Sequence, residues 1–155
     1  GVESIQFLDI PATFTNEKPV SELNSLIKSF LNEKNAYSVA VPFPDRHIDH
    51  RVSFESAMVS CRPVGAHYPR LIFCYETLSE TDWNAPYIEA NFVPEMFVDI
   101  SDVFKKKISA LNCYSSQISS NSSRDLNAVK ALARYRGSQN GFQFAEGFKI
   151  IRHLI

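Results

Sequence analysis

Two short, uninterrupted apolar runs set the strongest limit on what this chain can fold into. Residues 37–41 (Tyr-Ser-Val-Ala-Val) and 71–75 (Leu-Ile-Phe-Cys-Tyr) have the length and the β-branched and aromatic content of buried strands. The second, with no polar residue, reads as a strand covered on both faces. Between them Phe54, Ala57, Met58 and Cys61 recur at helical spacing. Before them, behind Pro19, so do Val20, Leu23, Leu26, Ile27, Phe30 and Leu31. Residues 4–10, closed by Pro11, read as one more strand. A strand–helix–strand–helix–strand order implies right-handed crossovers and a mostly parallel sheet. The carboxyl ends of the strands then share one edge, where α/β domains place ligands.

The second half has a different texture. Phe92-Val93 and residues 96–98, split by Pro94, read as an extended edge segment. Ser101 is placed as the N-cap of a helix carrying Phe104, Ile108 and Leu111. Residues 115–124 are rich in Ser and Asn and read as an exposed loop. Ser122-x-x-Asp125 resembles a capping box ahead of a helix with Leu126, Val129, Leu132 and Ala133 inward. Gly137 and Gly141 bracket a turn, and Phe144, Phe148 and Ile151 mark a last helix. There is no internal repeat and no domain boundary, so residues 1–155 form one unit.

Composition narrows the function. An apolar fraction of 45% with a net charge of −1 over 155 residues gives no electrostatic footprint for nucleic acid or an anionic membrane surface. No apolar run approaches the roughly 20 residues that span a bilayer. Cys61, Cys74 and Cys113 are odd in number and widely spaced. This argues against a disulfide framework or a thiolate zinc site and places the chain in a reducing cytoplasm. No glycine-rich strand-to-helix turn is present, which disfavours a nucleotide-binding Rossmann domain.

Chemistry concentrates in Asp45-Arg46-His47-Ile48-Asp49-His50, the loop that leaves the first apolar run through Pro42 and Pro44 and opens a helix. Two imidazoles at i and i+3 on a bare sequence are more often surface histidines than metal ligands; the carboxyl-edge position, Asp49 and the flanking arginines bring the two readings level. Asp49 between them can orient an imidazole, and Arg46 and Arg51 can meet anionic substrate groups or stay solvated. Glu76, Glu80, Asp82 and Trp83 follow the other apolar run on the same edge. Glu76 is placed to bind a polyol or orient an imidazole; Glu80 and Asp82 fit an ordinary polar loop. Trp83 can stack on a sugar ring or cover the core. His67 falls at the opposite edge and His153 at the C-terminus. A catalytic zinc site takes three protein ligands and water, and the residues in hand supply too few.

The segments 44–51, 75–77 with 81–83, 97–101, 106–111 with Tyr114, 131–137 and 145–148, in this order and spacing, resemble the LmbE-like (PIG-L) de-N-acetylases. The likeness is greatest to the bacterial branch acting on N-acetylated sugars. The resemblance implies a Rossmann-like, three-layer α/β fold, here its C-terminal portion and incomplete at the N-terminus. It implies zinc-dependent or other divalent-metal amide hydrolysis that turns an N-acetylglucosamine-type sugar, free or conjugated, into amine and acetate. By that likeness His50 is a metal ligand. His47 stabilises the oxyanion or protonates the leaving amine, and Asp49 orients or charge-balances His47. Independently of that likeness, Asp45, Arg46 and Glu76 on the same edge are the candidate substrate-binding residues. The family's His-Pro-Asp-Asp motif, which supplies the base and two ligands, is absent from this sequence. The expectation is therefore a fragment, inactive alone, whose partner is the missing N-terminal segment. The alternative is a non-catalytic sugar-binding module on the same fold. The oligomeric state is left open.

Overall fold

The computed structural model describes residues 2–120 and 122–155. Among these residues lie four α-helices: α1 (Val20–Glu33), α2 (Ile48–Ser60), α3 (Phe104–Asn112) and α4 (Leu126–Ser138). They accompany four strands: β1 (Ser38–Pro42), β2 (Leu71–Tyr75), β3 (Met96–Asp99) and β4 (Ala145–His153). The sheet order is β1-β2-β4-β3. β1 and β2 pair in parallel, while β4 runs antiparallel to both β2 and β3. Three of the four strands thus point the same way, and the α/β class expected from the sequence holds. The carboxyl ends of β1, β2 and β3 and the amino end of β4 share one edge.

Two expected elements are different. Residues 4–10 form no strand; residues 4–9 lie exposed, with Phe7 at 78%, and among the described residues the segment has no ladder partner to satisfy an extended backbone. Residues 145–151 belong to a strand and not to a helix, with Phe144 just ahead of it. The spacing of Phe144, Phe148 and Ile151 fits a helix, but Ala145–His153 finds β2 on one side and β3 on the other, and the two ladders outweigh the local pattern.

Caps and turns adjust the rest. Ser101 opens a 3-10 turn (Ser101–Val103) ahead of α3, and the N-cap of α4 is Asp125, whose side chain accepts from Asn127 N. Gly137 sits inside α4 and is required there, since a Cβ would stand 2.7 Å from the Phe142 carbonyl as the chain doubles back. Gly141, with φ of 76°, makes that turn.

α2 packs on one side of the sheet. Val41, Phe43, Ala57 and Cys74 form a core there with Val39, Phe54 and Met58 around it. A second core, Ile100, Phe104 and Ala133 with Ile108 and Phe144, joins α3 to α4. Burial along β2 alternates, which corrects the expectation of a strand covered on both faces. Ile72 and Cys74 are buried, whereas Tyr75 is exposed, as is Ala40, which pairs with Phe73 on the same face, and Phe73 meets Phe148 edge to face at 5.1 Å. That side of β1 and β2 is open.

Candidate functional site

Past β1, the Phe43 amide donates to Tyr75 O (3.0 Å), carrying the strand pairing one residue beyond the sheet. The chain then turns on Asp45, which is 2% exposed. A buried carboxylate needs donors, and Asp45 has three kinds. His47 N donates to Oδ1 (2.9 Å), and His50 Nδ1 lies 2.9 Å from both oxygens. Thr81 Oγ1, from the loop after β2, donates to Oδ2 (3.2 Å). The contact to Thr81 ties together the two carboxyl-end loops that the topology placed on one edge.

The hydrogen bonds assign the two rings opposite roles. His50 donates from Nδ1 to Asp45, so its neutral form carries a lone pair on Nε2. His47 is the N-cap of α2: its Nδ1 accepts from Asp49 N at 3.2 Å, so its neutral form carries the proton on Nε2. The rings stack with centroids 4.7 Å apart. An acceptor nitrogen and a donor nitrogen therefore stand side by side.

The other sequence-chosen residues fall as follows. The Asp49 carboxylate accepts from Thr13 N (2.8 Å), Thr15 Oγ1 (2.6 Å) and Thr15 N (3.4 Å), and comes only within 3.9 Å of His47 Nδ1. Burial alone would raise its pKa. The Thr15 hydroxyl, the two amides and nearby His47 outweigh this and bring it below the usual carboxylate value. Asp45 is closed off from solvent, so it reaches a ligand only through His50. Arg46 is exposed and pairs with Glu89 at 3.3 Å. Glu76 is held by Arg136 in a two-pronged pair, Nε to Oε1 at 3.0 Å and Nη2 to Oε2 at 2.8 Å, each side chain 13% exposed. The Arg136 guanidinium also lies over Phe92, and its hydrogen bonds to Glu76 raise its pKa against the opposing effect of burial. Glu80 pairs with Arg124, and Trp83 is 65% exposed. His67 is exposed, and His153 sits opposite Leu71 at the far edge.

Sequence reasoning gave no role to Thr13, Thr15, Thr81 or Arg136 as partners of these carboxylates. Only a rule that a buried carboxylate demands donors hints at them, and it does not say which.

Two cavities open on this edge. One of about 280 Å³ is bounded by Glu76, Thr81, Asp82, Asn84, Phe92 and Arg136. Another of about 510 Å³ lies beyond Glu76, between α3, α4 and the start of β4. The Glu76–Arg136 pair borders both, and neither includes His47 or His50. Among the described residues no three His, Cys, Asp or Glu side chains form a set able to hold a metal ion.

With this geometry the fold can be placed by comparison: it is a mixed α/β fold of the kind found in a solved deacetylase. The N,N′-diacetylchitobiose deacetylase of Pyrococcus horikoshii superposes with a TM-score of 0.71 at 22% identity, over 98% of this chain and 58% of its own. A conserved protein from Thermus thermophilus superposes with a TM-score of 0.66 at 23% identity, over 86% of this chain and 60% of its own. The likeness is one of fold, and the chain spans about three-fifths of the structures it matches. No family model and no curated protein sequence matches it. Among the described residues no helix is long and apolar enough to cross a membrane.

Proposed function

We propose that this chain is part of a metal-dependent hydrolase of the LmbE-like (PIG-L) kind, which removes acetyl from an N-acetylglucosamine-type sugar to give the amine and acetate. The observation that carries this reading is the pair of stacked imidazoles presenting opposite nitrogens at the carboxyl edge of the sheet. Nε2 of His50 suits zinc or another divalent cation, because an imidazole anchored through Nδ1 to a buried carboxylate is the usual form of a histidine ligand. The fit is partial, one donor from this chain. The remaining donors are then supplied by polypeptide outside the described residues, on our reading a segment preceding residue 1 of the same protein.

When bound, such a cation makes water more acidic and polarises an amide carbonyl. The chain's own contribution is positional. Asp45 holds the His50 ring in its plane. His47 donates a hydrogen bond from Nε2 to the carbonyl oxygen that gains charge; to protonate the departing nitrogen it first takes up the proton that the attacking water loses, and it returns to the neutral imidazole as the amine leaves. Asp49 stays anionic nearby, its carboxylate 3.9 Å from His47 Nδ1. Arg46 reaches solvent beside the site, where it can meet a hydroxyl or an anionic substituent. Glu76 binds substrate only through the part of its carboxylate that Arg136 leaves free.

A sugar-binding module without catalysis is the second reading, favoured by the absence of a three-donor set among the described residues. Zinc content and acetate release from a panel of N-acetylated sugars, measured on the complete polypeptide, separate the two. His47→Ala is expected to keep zinc and lower kcat. Zinc binding with no acetate release from any sugar supports the binding module instead.

A further inference from the structure

The 510 Å³ cavity is a product of strand lengths. β2 ends at Tyr75, opposite Phe148, while β4 begins three residues earlier at Ala145 and pairs there only with β3. Space opens where β2 would have continued, roofed by α3, α4 and the chain between them. Its walls are mostly apolar: Leu111, Ile118, Leu126, Val129, Leu132 and Phe148. The three cations on its lining are each matched by a carboxylate: Lys107 by Glu146, Arg124 by Glu80 and Arg136 by Glu76. Such a site gives no net attraction to an anion. It does remove apolar surface from water, and its size is that of ordinary ligand pockets. Three of its lining residues, Glu76 to Leu78, lead into the turn in which Thr77 N donates to Thr81 Oγ1 and Thr81 donates to Asp45. The cavity therefore adjoins the loop that orients His50.

We infer that this cavity binds an uncharged alkyl or aryl group carried by the substrate, so that the ligand is a glycoconjugate with an apolar substituent and not a free sugar. The linkage to a sugar rests on the deacetylase reading above; the affinity for an apolar group does not. The test titrates the complete polypeptide, in the presence of a chelator, with methyl, butyl and hexyl N-acetyl-β-D-glucosaminides and with the matching β-D-glucosides by calorimetry, each glycoside kept below its micelle-forming concentration. Affinity is expected to rise by about fourfold per methylene in both series, the factor for burying one such group. Leu132→Trp, which fills the cavity from α4, should flatten both series; Ile118→Trp does the same from the loop should the first variant not fold. Thermal unfolding confirms that each variant is intact. Affinity independent of chain length, or a slope that survives both fillings, overturns the inference. A slope for glucosides without acetate release by the complete protein retains the cavity site and removes the deacetylase reading. Acetate release with no chain-length dependence does the reverse.

Discussion

The histidine loop and the cavity beyond Glu76 share one edge of the sheet and divide its resources unequally. The loop has nitrogen atoms with unspent hydrogen-bonding capacity and borders neither of the two cavities. The cavity has volume, and the charges on its lining are neutralised by partners. Reactivity depends on atoms whose valences the fold leaves open, and retention of a ligand depends on surface the fold leaves uncovered. Here the two stand on either side of the short loop that holds Glu76 and Thr81.

Substitutions that treat the two sides differently can break this contrast. The largest expected effect is on zinc retention by the complete polypeptide. His50→Ala should abolish it and Glu76→Gln should leave it unchanged; elemental analysis reporting the same zinc in both variants would remove His50 from the ligand set. Next is Arg136→Ala, which strands a mostly buried carboxylate and is expected to cost about 3 kcal/mol in urea unfolding. Glu76→Leu combined with Arg136→Met should recover most of that loss, since no buried charge is then left unpaired. Asp45→Asn keeps the shape but weakens the anchor on His50, and zinc affinity should drop by about 10- to 100-fold. Smallest is the acid response of Asp49. Its folded pKa lies below the unfolded value of 3.8, so its contribution is present above that value and is lost as pH falls through the folded one. Thr15→Ala should shrink this loss, as read from unfolding midpoints between neutral pH and about pH 3.

How much of this was legible in the sequence depends on the range of the interaction. α1, α2, β1 and β2 follow from patterns a dozen residues long, and the edge they share follows from connection rules. Phe144, Phe148 and Ile151 misled because spacings of four and three satisfy a helix, while the two strands that claim the segment lie about fifty and seventy-five residues back. Residues 4–10 misled for the opposite reason: the local pattern is strand-like and no partner strand exists among the described residues. At the site, His47, Asp49 and His50 could be singled out by type and spacing. That Asp49 serves Thr13 and Thr15 more than His47, and that Glu76 is committed to Arg136 sixty residues later, are long-range facts that spacing does not encode.

The open side of β1 and β2 bears on how this polypeptide behaves by itself. β1 is an edge strand, and an edge with free amides and carbonyls beside uncovered aliphatic and aromatic carbon is adhesive. Pro42 removes one of those amides and blunts the edge slightly. Concentrated alone, the chain should drift toward self-association, and a charged side chain introduced at Ala40 should oppose that drift.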